Sequence, residues 1–123
     1  MEHKITASED GKYILITITG DITRTTAMKV NIEAHVLGRT LGIHSYLVDL
    51  TNSRNVDSVV DDYEFAYDDM RTEPQIDQSA RVALFVQPDD HSHDFFATVS
   101  VNAGMRVSLF RDRDMALHYL LNV

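Results

Sequence analysis

Three groups of residues in this sequence could do chemistry. The pair Asp57-Ser58 stands at the expected start of a helix. Unpaired backbone N–H groups and the helix dipole favour negative charge there, which makes Ser58 a candidate phosphoacceptor. Asp61 and Asp62 follow three and four residues later, nearest to a phosphate on that face, and would oppose it. The same residues also read as a plain N-cap with Asp61 in the third position. His91-Ser92-His93-Asp94 offers imidazole and carboxylate groups of the kind that zinc takes. Alternate residues of a helix do not share a face, and His3, His35, His44 and His118 are scattered. A polar helix start capped by Asp89, Asp90 or Ser92 explains the run without a metal, and histidine's near-neutral titration leaves ligand contact or pH sensing open. Asp49 is the carboxylate of an expected strand interior. Near that strand's carboxyl end it either faces a cleft, where α/β sheets bind ligands, or orders the next loop.

Catalytic signatures are absent: no GxSxG, P-loop, GxGxxG or HExxH occurs. An enzyme would need a pocket that gathers Asp49, His91 and His93 with perturbed pKa values. The reading is therefore non-enzymatic, with no catalytic residue, metal or cofactor assigned. The chain has no cysteine, which excludes disulfides, thiolate metal sites and cysteine nucleophiles. A net charge of −8 argues against general binding to nucleic acid or anionic lipid. The N-terminus lacks the apolar core of a signal peptide and no apolar run could span a bilayer, so a cytoplasmic setting is expected.

The elements that must position these residues follow from periodicity. With 123 residues and 44% apolar content, a single domain over 1–123 can bury one core. Residues 3–8 and 13–19 read as a hairpin around Glu9-Asp10-Gly11-Lys12, with Ile14, Ile16 and Ile18 on one side. Thr25 or Thr26 caps a helix to about Leu41, weakened or stopped by Gly38 and Gly42. Its core stripe is Ala27, Val30, Ala34, Leu37 and Leu41. Tyr46–Leu50 is a short buried strand, and Thr51–Val56 a loop. A helix from about Asp57 to Met70 turns Val56, Val59, Val60, Tyr63, Tyr67 and Met70 inward. Arg81–Gln87 contains another apolar strand. A helix opened by residues 89–94 puts Phe95, Phe96, Val99 and Ala103 inward. Arg106–Phe110 is the last strand, and Asp112 caps a final helix with Ala116, Leu117, Leu120 and Leu121 inward. The order ββαβαβαβα predicts an α/β fold: a mixed, mainly parallel five-stranded sheet with four helices.

Two faces remain for partners. Asp57, Asp61, Asp62, Asp68 and Asp69 fall outside the expected stripe of the second helix, with Phe65 among them. An exposed aromatic ringed by acids is a common contact anchor. Asp57, Asp61, Asp62, Phe65 and Asp69 are thus the expected protein-contact residues. Met28, Ile32 and Val36 lie opposite the first helix's core stripe. They imply cover by another part of the chain, a homodimer contact or one wall of a ligand cleft.

The element order and the stretch Tyr46–Ser58 resemble the STAS family of anti-sigma-factor antagonist-like domains, in particular its SpoIIAA-like group. That family places Asp-Leu at a strand end, then six residues, then Asp-Ser-Ser/Thr-Gly. Here Asp49-Leu50 precedes Asp57-Ser58 at the same spacing. Arg81–Val86, Asn102-Ala103-Gly104, Val107, Phe110 and Ala116-Leu117 extend the likeness over nearly the whole chain. The resemblance implies a regulatory or protein-interaction module, with a homodimer expected, in which Ser58 matches a hydroxyl that accepts phosphate from a partner kinase. Val59 and Val60 replace the second hydroxyl and the glycine, so half of that switch is missing. The SpoIIAA-like group also resembles lipid carriers, which implies as the alternative a small apolar ligand against Met28, Ile32 and Val36.

Overall fold

Strict alternation makes the second strand the centre of the core. Ile14, Ile16 and Ile18 are buried, while Leu15 and Thr17 take the opposite face. The computed structural model describes residues 1–121, so the last two positions of the expected 1–123 domain lie outside the described residues. β1 (Glu2–Ala7) runs antiparallel to β2 (Ile14–Ile22), and β3 (Ser45–Asn55), β4 (Arg81–Phe85) and β5 (Arg106–Phe110) follow in parallel. The strands lie in sequence order across one five-stranded sheet. Successive right-handed crossovers in one direction place the intervening helices on one face.

Those helices are α1 (Arg24–Leu41), α2 (Val59–Thr72) and α3 (Asp94–Asn102). Apolar residues of α1 and α3 join Ile14, Ile16, Ile18, Val48, Leu50 and Leu84 in the main core, while Phe65 and Met70 of α2 form a neighbouring cluster with Ile76. α4 (Arg113–Leu121) covers the other face, where Ala116 and Leu120 pack on Leu47 and Ala83. The sheet class, element order and four helices agree with the sequence expectation.

Local signals set the boundaries. Thr23, rather than Thr25 or Thr26, caps α1, and its side chain pairs reciprocally with Thr26. Gly42 ends α1 in the left-handed conformation at φ 69°. Gly38 lies inside the helix, against the Tyr46 hydroxyl and the Ile43 carbonyl. Tyr46 in turn stacks on His35 at 4.4 Å, and both rings are buried.

Three expectations fail here. β3 runs on through Asn55, because Thr19–Ile22 of β2 continue to pair with Asn52–Asn55. The expected loop is therefore mostly strand, and its polar residues hid the pairing. Leu41, Phe95 and Leu121 are exposed rather than inward. The largest departure is α2, which is turned about its axis. Val56, Val59, Val60 and Tyr63 face out, while Asp62, Phe65, Ala66 and Met70 face in.

Two predictions concern the His35–Tyr46–Gly38 packing. Gly38→Ala should destabilise by about 1–3 kcal/mol in urea unfolding, although alanine ordinarily favours a helix, because its Cβ would overlap Tyr46. Burial lowers the His35 pKa from 6.5 to about 4, against the opposing charge of Asp77. Between those values the unfolded chain takes a proton that the folded chain refuses. This stability is complete above pH 6.5 and is lost as pH falls towards 4. The loss should reach up to roughly 3 kcal/mol, measured as the difference in urea stability between the native chain and His35→Gln across that range.

Candidate functional site

The carboxyl end of β3 leads directly into the candidate site. Asn55 fixes the geometry there. Its Oδ1 accepts from the Asp57 N–H at 3.0 Å, and its Nδ2 donates to Asp62 Oδ1 at 2.9 Å. The Asn55 N–H donates to Ser92 Oγ at 3.0 Å, which ties the strand end to the loop before α3. Ser58 then caps α2. Its Oγ accepts from the Asp61 N–H and donates to Asp61 Oδ2, both at 3.1 Å. The hydroxyl is exposed, and Asp61 is already its partner.

Farther along, α2 opens into a π-helical turn over Phe65–Asp69, closed by the Met70 N–H on the Phe65 carbonyl. Such a turn carries one more residue than an α turn and shifts the faces that follow. Arg24 grips the turn from α1, with Nε donating to Asp69 Oδ2 at 2.7 Å and Nη2 to Asp69 Oδ1 at 2.9 Å. That hydrogen bonding holds the Asp69 carboxyl below its ordinary range. Phe65 meets Phe96 of α3 edge-on at 5.3 Å.

This arrangement corrects the expected contact set. Phe65 is only 4% exposed and belongs to a core cluster with Met70 and Ile76, so it is no surface anchor. Asp62 is buried, and its burial raises its pKa against the opposing hydrogen bond from Asn55. Asp69 is engaged by Arg24. Asp57 and Asp61 remain partly exposed, and burial raises the Asp57 pKa. In place of Phe65, the outer face carries Val56, Val59, Val60 and Tyr63, each 49–64% exposed. Tyr67 extends this row by stacking on Tyr63 at 4.5 Å. The sequence does display this apolar stripe. Its direction is invisible there, because Phe65, Ala66 and Met70 form a second apolar stripe of similar strength on the same helix.

Met28 and Ile32 pack against the Phe65–Met70–Ile76 cluster, so the chain itself covers that part of the stripe. Val36 is exposed.

The three candidate enzymatic residues are not brought together. Asp49 alternates with Val48 and Leu50 and so faces the α4 side, where its Oδ1 accepts from the Thr51 N–H and Oγ1 at 3.0 and 2.6 Å. His93 is buried on the opposite side of the sheet, with Nε2 3.3 Å from the Ser53 carbonyl and 3.5 Å from Asp90 Oδ2. Burial lowers the His93 pKa. His91 is exposed, bound to Asp94 at 2.8 Å and to Arg111 at 3.2 Å. Among the described residues, no group of three or more His, Cys, Asp or Glu side chains converges as a metal site. Among the same residues no helix is long and apolar enough to cross a membrane.

The cap makes a direct prediction. Ser58→Ala should lower stability by about 1 kcal/mol in urea unfolding, and Ser58→Asn should recover most of it because its side-chain oxygen can take the Asp61 N–H. An unchanged midpoint in Ser58→Ala would show that the cap does not hold α2.

No family model matches the chain, and no curated protein matches it. Solved structures do. One is the crystal structure of an uncharacterized protein of the DUF3478 family from Shewanella loihica PV-4, described as having a SpoIIAA-like fold. It shares 20% sequence identity with this chain at a TM-score of 0.54, covering 97% of this chain and 92% of that one. At that identity the likeness speaks for architecture alone. The order ββαβαβαβα, the sequential mixed sheet and this match agree: the chain has a SpoIIAA-like fold.

Proposed function

We propose that this chain is a non-enzymatic regulatory module, acting in the cytoplasm, that docks a protein partner on the outer face of α2. The observation that carries the reading is the row Val56, Val59, Val60 and Tyr63, which stands in solvent just before and along a helix that could have turned its own members inward. Contiguous exposed apolar residues rimmed by polar groups mark interaction sites. Asp57, Asp61 and Glu64 supply the rim and give it negative charge. A second copy would set this acidic rim against itself across a two-fold axis, so the favoured partner is a different chain with a basic rim around an apolar anchor.

Val59 and Val60 are the positions at which the chain departs from the hydroxyl-and-glycine pattern. On this reading the departure exchanges a phosphate-sensitive contact for a constant apolar one. Ser58 then serves as the cap that presents the two valines, and phosphate on it would meet the Asp61 carboxylate.

A second reading has its own support. A cavity of about 100 Å³ lies between the sheet, α1 and α2, walled mainly by apolar side chains such as Ile16, Val30, Leu50, Phe65 and Val82. An apolar cavity of roughly 150 Å³ can hold a small apolar molecule, and one of this size a smaller one. Met28 and Ile32 do not line it, so those residues would not touch the ligand.

The docking reading predicts that Val60→Asp and Tyr63→Ala each weaken capture of a basic-surfaced partner from lysate by at least about tenfold. Raising the salt should weaken it too. Val36→Asp, on α1, should leave capture unchanged. The measurement is quantitative affinity capture with the fold of each variant checked by circular dichroism. A partner retained by both α2 variants would remove this face from the interface.

A further inference from the structure

The cavity's walls are mainly apolar, although Asn31, Gln78 and His93 also line it, and its two ends differ. Towards the carboxyl ends of β2 and β3 it is bordered by Asp57 and Asp62. Burial raises the pKa of both carboxyl groups, so that end already resists the negative charge it holds. Arg24 borders the same end, but its guanidinium is committed to Asp69 through two hydrogen bonds. An anionic ligand would find two carboxylates and no free cation there.

His35 borders the other end and is only 3% exposed. Its Nδ1 accepts from the Asp77 N–H at 2.9 Å. Burial keeps the ring neutral at physiological pH, so the proton sits on Nε2. Among the described residues this Nε2–H has no hydrogen-bond acceptor. The buried polar atoms that are both sealed off and unpartnered are Ser53 Oγ and Ser100 Oγ. Nε2 is not one of them, so it keeps some open space beside it, and His35 lines the cavity. A buried donor left without an acceptor is costly, and an acceptor among the cavity's contents would relieve it.

We infer that the cavity binds a small, mainly apolar molecule without negative charge and carrying one hydrogen-bond acceptor, such as a ketone or ester oxygen, which takes the His35 Nε2–H. This rests on the ligand-binding reading and adds the ligand's class and orientation. The acceptor lies towards His35, and the hydrocarbon body lies along Ile16, Val30, Leu50 and Phe65 towards the carboxylate end. Size is limited to less than that of benzene, which takes a cavity of roughly 150 Å³, against about 100 Å³ here. Negative charge is excluded at both ends, by Asp57 and Asp62 at one and by Asp77 at the other.

Acetone, isobutene and acetate separate the possibilities, titrated into the unaltered, isotope-labelled chain and followed by amide and methyl chemical shifts. Acetone and isobutene share a shape and differ in the acceptor. Acetone should bind about tenfold more tightly than isobutene, the worth of one buried hydrogen bond. The shifts should centre on residues that line the cavity, and acetate should give none. Ala27→Leu, which fills the cavity from α1, should abolish both neutral titrations while shift dispersion stays native. Equal affinity for acetone and isobutene would overturn the His35 assignment and leave ligand binding standing. Tighter binding of acetate would overturn the exclusion of negative charge. Absence of shifts from all three at millimolar concentration would overturn the inference together with the ligand-binding reading beneath it.

Discussion

The rotation of α2 about its own axis is the constraint on which both faces of the molecule's helical layer depend. Two apolar stripes compete on that helix, and burial alone barely separates them: Val59, Val60 and Tyr63 offer as much area as Phe65, Ala66 and Met70. Polar contacts decide. Asn55 holds Asp62 inward, which commits the first turn, and Arg24 holds Asp69, which commits the last. Both anchors lie outside the helix. Reversing the rotation would bury the valines but would strip a carboxylate of its amide partner and break a two-bond guanidinium pair. The inward setting of Asp62 is not itself comfortable, as its raised pKa shows. It is held by its neighbours and by Phe65 packing on Phe96.

The π turn lets one helix satisfy both anchors. An uninterrupted α-helix from Ser58 would carry the face of Asp62, Phe65 and Ala66 on through Asp69, four residues beyond Phe65. The extra residue in the turn swings Asp69 towards α1, where Arg24 meets it, and returns Met70 to the core beside Ile76. π turns occur often at functional sites, and here the turn lies between the exposed row and the cavity wall.

The fold was largely legible because its signals are redundant. Ile14, Ile16 and Ile18 alternate cleanly, β4 is apolar from Val82 to Phe85, β5 is apolar but for Arg106 and Ser108, and Gly42 stops α1 at Leu41. Right-handed crossovers then leave little freedom in topology. The candidate site was legible in place and not in orientation. Tyr46–Ser58 pointed to the strand end and the cap, and Ser58 does cap α2. Periodicity cannot say which of two apolar stripes turns inward, since that choice rests on Asn55 and Arg24, one just before the helix and one more than thirty residues away. The strand extension to Asn55 escaped for a related reason. Thr51, Asn52, Ser53 and Arg54 look like a loop, and only pairing with β2 makes them a strand. The cavity has no sequence signature, because it is the space left between side chains brought together from separate elements.

Phe65 shows how the outer row and the cavity are joined mechanically. Its ring forms part of the cavity wall, and its backbone continues the helix that carries Val60 and Tyr63. The ring cannot move outward without moving that backbone, because Phe96 packs against it on the α3 side. Nor can α2 turn freely, because Asn55 and Arg24 hold it near its two ends. Separate sites on a rigid core would each tolerate repacking at the other. Sites on opposite faces of one pinned helix do not, so the same few contacts that expose the valines also define the cavity's shape. The fold therefore sets what this domain can present to a partner and what it can enclose through a single element.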